Sequence, residues 1–175
     1  MTREEFNDLA LSYLEEIAAF ARRLTGNSAD ADDLVQATFE RAFESWRDLR
    51  QSAACRAWLF RIARNLFVDD RRASVVRSQL SLAEGAESGT PAFIVPAEAV
   101  ERLTALELEA ALGRLPGNQR EALLLCNLWG FRYAEIAGII GSPVGTVRSR
   151  IARARSRMSA LLGRAAREPK GRLGP

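Results

Sequence analysis

Histidine is absent from this chain of 175 residues, and cysteine occurs only twice, at Cys55 and Cys126. Without histidine, the chain cannot build a Cys/His zinc site or a Ser-His-Asp triad. Two cysteines so far apart, and in no Cys-x-x-Cys pair, do not form a disulfide framework. We therefore expect two reduced thiols buried as small apolar side chains, in a protein that uses no metal and no other cofactor.

Long apolar runs are missing as well. No uninterrupted apolar run is longer than Ala122–Cys126, whereas a membrane-spanning helix needs roughly 20 such residues. The N-terminus lacks the basic start and the apolar run of a secretory signal. Because 47% of the residues are hydrophobic and 27% are charged, the chain can fold around a core. These features predict a soluble, cytoplasmic protein with no membrane insertion.

The net charge of +3 hides a strong segregation of charge along the chain. Residues 55–77 and 142–175 carry net charges of +4 and +8, whereas residues 1–54 and 78–113 each carry −5. Two basic blocks separated by acidic segments suggest two points of contact with a polyanion. The alternative for either block alone is a solvated helix face.

Apolar residues recur every three or four positions, which predicts an all-α fold without strands. Gly26 is expected to close the first helix, and Asn27 or Ser28 to open the second. Residues 78–101 lose the periodicity and have the composition of a flexible acidic linker, which also contains the short apolar segment Phe93–Val95. Helices are predicted over residues 7–24, 28–46, 55–74, 99–112, 116–128, 133–140 and 143–162.

The last two predicted helices form a helix-turn-helix pattern. Gly141 permits a tight turn between them, Ser142 is a good N-cap and Pro143 suits a first turn. One stripe of the second helix is apolar and should be buried: Val144, Val147, Ile151, Ala154 and Met158. The other side, where Arg155 is also expected, carries arginine, serine and threonine, which can bind base edges and phosphates in the major groove. A plain α-hairpin with a basic face is the alternative.

Asp30, Asp32 and Asp33 are predicted to lie in the first turn of the helix over residues 28–46, with Gln36 beside them. Paired carboxylates can catalyse proton transfer or bind a metal, but no histidine and no second acidic cluster accompanies these. From composition alone, they form a solvated turn that interacts favourably with the helix dipole. A catalytic role is disfavoured, and we expect no enzymatic activity.

Several motifs resemble the extracytoplasmic-function (ECF) family of bacterial RNA polymerase sigma factors. Residues 32–39 and 57–65 resemble region 2 of that family, and residues 115–122, 133–137 and 143–150 resemble region 4. The motifs follow the family's order over nearly the whole chain, with a short linker and no region 3. One departure is Ala37, since the family usually has an acidic residue directly after the motif glutamine. Arg64–Leu66 resembles the branch that serves the general stress response of alphaproteobacteria.

The resemblance implies a sigma factor that binds core RNA polymerase, recognises the −10 and −35 promoter elements and assists melting of the −10 element. It implies contacts with the β′ clamp and the β flap, control by an anti-sigma factor, and a monomer when free. The implied domains are residues 1–77 as region 2, 78–101 as linker, 102–168 as region 4, and 169–175 as a tail. The runner-up is a stand-alone helix-turn-helix regulator, whose sensor domain would not need Asp33–Gln36 together with Trp58–Asn65.

The resemblance also implies site residues. Core-polymerase contacts are implied for Asp32, Asp33, Leu34, Val35, Gln36 and Phe39. Contacts with −10 DNA are implied for Ser45, Trp46, Asp48, Leu49, Arg50, Trp58, Arg61, Arg64, Asn65, Arg71 and Arg72. Contacts with −35 DNA are implied for Arg120, Tyr133, Gly145, Thr146, Arg148, Ser149, Arg150, Ala152, Arg153 and Arg157. Within the −10 set, the connection Ser45–Arg50 with Asn65 across from it would form the pocket for one flipped base.

Overall fold

The computed structural model describes residues 2–49, 51–80 and 105–165, and the side chains of residues 2–49, 51–73 and 107–162. Arg50, most of the predicted linker with Phe93–Val95, and the predicted tail lie outside these described residues. The chain divides into two compact units, which we describe one at a time. All regular structure in the described residues is helical, which confirms the predicted all-α fold.

The N-terminal unit has four α-helices and two short 3-10 turns. The helices are α1 (Arg3–Leu11), α2 (Leu14–Thr25), α3 (Ser28–Glu44) and α4 (Cys55–Leu80), and the 3-10 turns are Trp46–Asp48 and Ser52–Ala54. The C-terminal unit has four described α-helices: α5 (Ala105–Gly113), α6 (Gly117–Asn127), α7 (Tyr133–Ile140) and α8 (Val144–Ala165). None of these helices is long and apolar enough to cross a bilayer.

The prediction of one helix over residues 7–24 is wrong, because the chain breaks between α1 and α2. The hydroxyl of Ser12 donates to the carbonyl of Leu9 at 2.7 Å, and this local bond competes with continuation of the helix. Helix α1 starts earlier than predicted because Thr2 and Glu5 form a capping box. Leu14, predicted to face inward, is 42% exposed at the break.

The junction between α2 and α3 confirms the predicted cap residues. Gly26 ends α2 in the left-handed region, with φ of 80°, where a residue with a Cβ is strained. Asn27 caps α3 by accepting a hydrogen bond from the backbone N–H of Asp30 at 2.8 Å. Only Asp30 lies in the first turn of α3. The prediction that Asp32 and Asp33 share that turn is wrong, because the first turn of a helix that begins at Ser28 ends before Asp32.

The core of the N-terminal unit lies where α3 packs against α2 and α4. Its fully buried side chains include Ile17, Ala42, Leu59, Phe60 and Ala63, and burial of a large apolar side chain contributes about 1.5–3 kcal/mol. The half-buried guanidinium of Arg56 donates to Glu16 at 2.8 and 2.6 Å and so joins α4 to α2.

The two thiols differ in their environment. Cys55 is fully buried, as predicted, and burial raises the pKa of its thiol to about 11. Cys126 is only half-buried, so the prediction of burial is wrong for that residue. The guanidinium of Arg155 lies 3.8 Å from its sulfur.

In the C-terminal unit, α8 packs against α6 and α5. Its predicted stripe is buried at Val147, Ile151, Ala154 and Met158. Val144, which was also predicted to be buried, is 40% exposed. It is the first residue of α8 and lies one turn before Val147, the first buried residue of the stripe.

The helix-turn-helix turn is close to the one predicted. Gly141 follows α7 with φ of 62° in the left-handed region, which favours glycine. The carbonyl of Pro143, rather than that of Ser142, accepts the first bond of α8, from Val147 at 3.1 Å. The Ser142 hydroxyl instead accepts a hydrogen bond from Arg150 at 3.3 Å.

Candidate functional site

The exposed face of α3 carries an acidic ridge, which consists of Asp33, Gln36 and Glu40. These residues are exposed, and their spacing puts them on one side of the helix. The Gln36 side-chain amide donates to the Glu40 carboxylate at 2.8 Å. The sequence analysis did not include Glu40 among the site residues, although its spacing of four residues from Gln36 could have indicated this bond. Ala37 lies between them on the same face and is half-buried.

Two residues predicted to contact the polymerase lie in the core. Leu34 and Phe39 are only 8% and 7% exposed. Leu34 packs with Ala21 and Ala31, and Leu66 packs against this cluster. Both side chains therefore hold α3 in place, whereas Asp32, Asp33 and Gln36 are exposed and Val35 is partly so.

A short turn over Ser45–Leu49 follows α3. The Ser45 hydroxyl donates to the carbonyl of Arg41 at 2.6 Å and so closes the helix. Leu49 is buried and anchors the far end of the turn. Between these ends, Trp46 is half-buried and Asp48 is exposed. The turn thus carries a half-buried aromatic ring and an exposed carboxylate two residues apart.

Trp46 is connected to α4 through the ring of Phe6. Phe6 stacks on Trp46 with the ring centroids 6.3 Å apart, and meets Trp58 edge-on at 6.0 Å. Trp58, predicted to contact DNA, is buried. These contacts bring the Trp58 side of α4 next to the turn.

The polar residues of α4 fall on two sides of the helix. A helix turns about 100° per residue, so Arg61, Asn65 and Arg72 lie within about 60° of Trp58. All three are exposed, and we call them the basic stripe. Asn65 lies two turns beyond Trp58 on this side.

Arg64 and Arg71 lie on another side of α4, about 120–140° away from Trp58. The guanidinium of Arg71 packs over the ring of Phe67, 5.6 Å from its centroid. Arg64 is half-buried. Of the four predicted arginines on α4, the structure therefore brings Arg61 and Arg72 to the side that holds Trp58 and Asn65.

The outer face of α8 combines small side chains with arginine. Arg148 and Arg153 are exposed and flank a strip of small residues. Measured from the buried Val147, this strip lies about 140–200° around the helix. Its members are Gly145, Ser149, Ala152 and Ser156. Small side chains let a helix approach the floor of a groove closely, while the flanking guanidinium groups reach base edges.

Other polar residues of α8 are held by their own unit. Arg150 donates to Ser142, as described above, and is half-buried. Arg155, predicted on the polar side of α8, is exposed, and its guanidinium donates to the Oδ1 of Asn127 in α6 at 3.2 Å. Ser156, which was not predicted, lies in the outer strip.

The remaining predicted −35 residues lie in α8 and near two helix starts. Arg120 is in the first turn of α6, Tyr133 is the first residue of α7, and both are half-buried. Thr146 is half-buried and its carbonyl accepts from the Ser149 hydroxyl at 2.9 Å. Arg157 is exposed, on the Arg153 flank of α8. Helix starts present free N–H groups, which favour phosphate binding nearby.

Two family matches cover most of the chain. Sigma-70 region 2 matches residues 9–75, and Sigma-70 region 4 matches residues 105–158. The first match contains the acidic ridge, the Ser45–Leu49 turn and the basic stripe, and the second contains the outer strip of α8 with its flanking arginines.

Named relatives agree with these matches. The ECF RNA polymerase sigma factor EcfG of Rhodopseudomonas palustris is 41% identical over 159 residues, which are 91% of this chain and 86% of that protein. The ECF RNA polymerase sigma factor SigL of Mycobacterium tuberculosis is 36% identical over 133 residues, 75% of this chain and 74% of that protein. A solved structure of the sigma factor RpoE with the anti-sigma factor NepR, from Bartonella quintana, has a TM-score of 0.75 at 34% identity. It covers 91% of this chain and 98% of RpoE.

Proposed function

This chain belongs to the extracytoplasmic-function family of RNA polymerase sigma factors, and we propose that it directs core polymerase to promoters through three surfaces. These are the acidic ridge of α3, the Ser45–Leu49 turn together with the basic stripe of α4, and the outer face of α8. The observation that carries this proposal is that one chain joins a region 2 unit and a region 4 unit, each with its polar faces exposed.

The acidic ridge binds core polymerase at a basic surface, the coiled coil of the β′ clamp. Asp33 and Glu40 offer carboxylates to cationic side chains, and charge-assisted hydrogen bonds of this kind are the stronger ones. The bond from Gln36 holds Glu40 in line with Asp33. Glu40 thereby supplies the negative charge that Ala37 does not provide.

The Ser45–Leu49 turn accepts one base flipped out of the −10 element. Flipping costs the base its stacking and pairing, a few kcal/mol that a pocket must return. The half-exposed indole of Trp46 offers a surface for stacking, which is worth about 1–3 kcal/mol per base. Asp48 and Asn65 offer hydrogen bonds to the base edge, and Arg61 and Arg72 bind the phosphates of the strand.

Helix α8 lies in the major groove of the −35 element. Its strip of small residues faces the groove floor, and Arg148 and Arg153 donate to guanine O6 and N7. Arg120 and Tyr133 bind phosphates beside this site, and so does Arg157. Phosphate contacts of this kind position the helix but do not specify sequence.

The protein works in the cytoplasm as a non-enzymatic subunit, under an anti-sigma factor. The likeness to RpoE, whose structure contains NepR, supports this control and a place in the general-stress branch. The β flap is the proposed partner of region 4. The domain bounds given above, 1–77 and 102–168, belong to the same proposal.

Gel filtration with purified core polymerase, followed by transcription from a randomised promoter library, tests the function. A sigma factor co-elutes with the core enzyme and selects promoters that share two elements. The rival, a stand-alone helix-turn-helix regulator, would elute apart from the polymerase and start no transcription.

A further inference from the structure

Phe6 lies at the centre of an aromatic cluster that joins three elements. It is fully buried in α1, and its ring contacts three aromatic rings from other parts of the unit. Its ring meets Phe43 of α3 edge-on at 5.9 Å, stacks on Trp46 at 6.3 Å and meets Trp58 of α4 edge-on at 6.0 Å. One side chain of α1 therefore contacts the end of α3, the Ser45–Leu49 turn and Trp58 of α4.

Trp46 depends on its neighbours for its orientation. It is the first residue of a three-residue 3-10 turn, whose hydrogen-bond geometry is poorer than that of an α-helix. Phe6 lies nearly parallel to the indole, at an interplanar angle of 29°. The Arg47 guanidinium lies 5.3 Å from the indole centroid, but Arg47 is exposed. Of these two neighbours of Trp46, Phe6 in α1 is the buried one.

Helix α1, which carries this ring, is fixed at both ends by local hydrogen bonds. Its start is fixed by the capping box of Thr2 and Glu5, with bonds of 3.2 and 2.7 Å. Its end is fixed at Ser12, where the chain turns before α2. Because α1 also packs on α4, Phe6 is held at a fixed place between α4 and the turn.

We propose that Phe6 is a positioning residue for −10 recognition, which sets the orientation of Trp46 relative to the α4 side that carries Asn65. This inference rests on the proposed role of the Ser45–Leu49 turn. Phe6 itself touches no DNA. It acts by keeping the stacking surface and the amide of Asn65 in register for one flipped base.

Phe20→Leu provides a matched control for Phe6→Leu. Phe20 is also buried in the N-terminal unit and its ring lies 4.7 Å from that of Phe60. Both variants remove a buried aromatic ring and keep an apolar side chain, so both lower the stability of the same unit. A difference between them in base recognition therefore reports position rather than folding.

The experiment uses full-length chains bound to core polymerase, at a temperature where circular dichroism shows both variants to be folded. Opening is followed by 2-aminopurine fluorescence in the −10 element of a promoter selected by the wild-type protein. The element is then changed one base at a time, and the ratio of opening between the preferred and the changed base is the readout. Affinity for core polymerase and for −35 duplex is measured alongside.

Phe6→Leu is expected to lower that ratio about tenfold at one −10 position, since it removes three ring contacts. Phe20→Leu should leave the ratio within about twofold, because the ring of Phe20 packs on Phe60 and the ring of Phe6 packs on Trp46. If Phe6→Leu does not fold, Phe6→Met takes its place. An equal loss in the Phe6 and Phe20 variants, or an unchanged ratio in the Phe6 variant, would overturn the proposal. A wild-type holoenzyme that opens all −10 sequences equally would overturn the role of the turn itself, and this inference with it.

Discussion

Each of the two carboxylates of the acidic ridge has a buried neighbour in the sequence. Leu34 follows Asp33 and is packed among α2 and α4 residues, and Phe39 precedes Glu40 and is buried as well. Because α3 is fixed on its inner side, its outer carboxylates are presented at a constant spacing. Under the proposed function, the buried apolar residues of the family motif therefore position the carboxylates that contact the polymerase.

Asp33→Ala and Glu40→Ala should each weaken binding to core polymerase about tenfold, because each removes a charge-assisted contact. Asp8→Ala, which removes an exposed carboxylate from α1, is the control and should bind normally. Competition against a second sigma factor for limiting core enzyme measures the affinities. An equal effect of all three variants would mean that only the overall negative charge matters.

The arginines of α8 differ in what they can recognise. Arg148→Ala should relax sequence preference at one −35 position, at a cost of about 1–3 kcal/mol if the guanidinium pairs with a guanine. Arg157→Ala should weaken binding evenly across sequences and lower the salt dependence. Binding of both variants to a −35 duplex library over a range of salt concentrations separates these effects. A uniform loss for both would show that α8 positions the protein without reading bases.

At the scale of the helix, the side on which an arginine lies decides its role. Arg61→Ala and Arg72→Ala should each lower the salt dependence of holoenzyme binding to single-stranded −10 DNA, by a slope of about 0.7 per lost phosphate contact. Arg64→Ala and Arg71→Ala lie on the other side of α4 and should leave that slope unchanged. If all four variants lower it alike, the strand wraps around α4 rather than following the basic stripe.

Helix ends that are set by the backbone preference of one residue could be predicted. A helix end that is set by a side-chain hydrogen bond to the backbone could not. Gly26, Asn27 and Gly141 carry their signals in their own backbone preferences, so those junctions were found correctly. The break after α1 arises from one hydroxyl, that of Ser12, within an otherwise continuous apolar pattern. Serine occurs in helices often enough that this bond leaves no clear sign in the sequence.

The glycine between α7 and α8 offers a test of stability. Gly141→Ala should destabilise the C-terminal unit by about 1 kcal/mol, because φ of 62° is strained for alanine. Gly138→Ala, inside α7, should instead stabilise it by about 0.5–1 kcal/mol, since its new methyl group meets no atom within 4 Å. Thermal unfolding of both variants should therefore shift in opposite directions. A shift in the same direction would contradict the assigned backbone role of Gly141.

At the scale of the whole molecule, the sequence indicated the two units and most of the helices. It did not show on which side of its helix each site residue lies. The motif residues of region 2 alternate between core and surface, as Leu34 and Gln36 illustrate. On α4, the same arginine-rich run supplies the basic stripe on one side and, on another side, Arg71, which is exposed and packs over the ring of Phe67 in the same helix. Only the packing of α3 and α4 tells these apart, because the sequence pattern alone does not reveal which neighbours a helix face meets.

The sigma factor and its polymerase divide the work of opening a promoter. Extruding a base costs a few kcal/mol, and one half-exposed ring and a few polar groups in a chain of 175 residues return only part of that cost. Under the proposed function, the core enzyme is therefore needed to hold the DNA while the −10 base enters the Ser45–Leu49 turn. Asn65→Ala should therefore bind core polymerase and the −35 element normally and fail only at opening.

The most direct test of this function is 2-aminopurine fluorescence at the −10 element of a library-selected promoter, with the chain alone and with core polymerase added. A sigma factor of this family should give no increase alone, a clear increase with core enzyme, and no increase for Asn65→Ala with core enzyme. An equal increase without core enzyme would contradict the division of labour. No increase with core enzyme, despite tight binding at −35, would contradict the sigma-factor function and favour a stand-alone regulator.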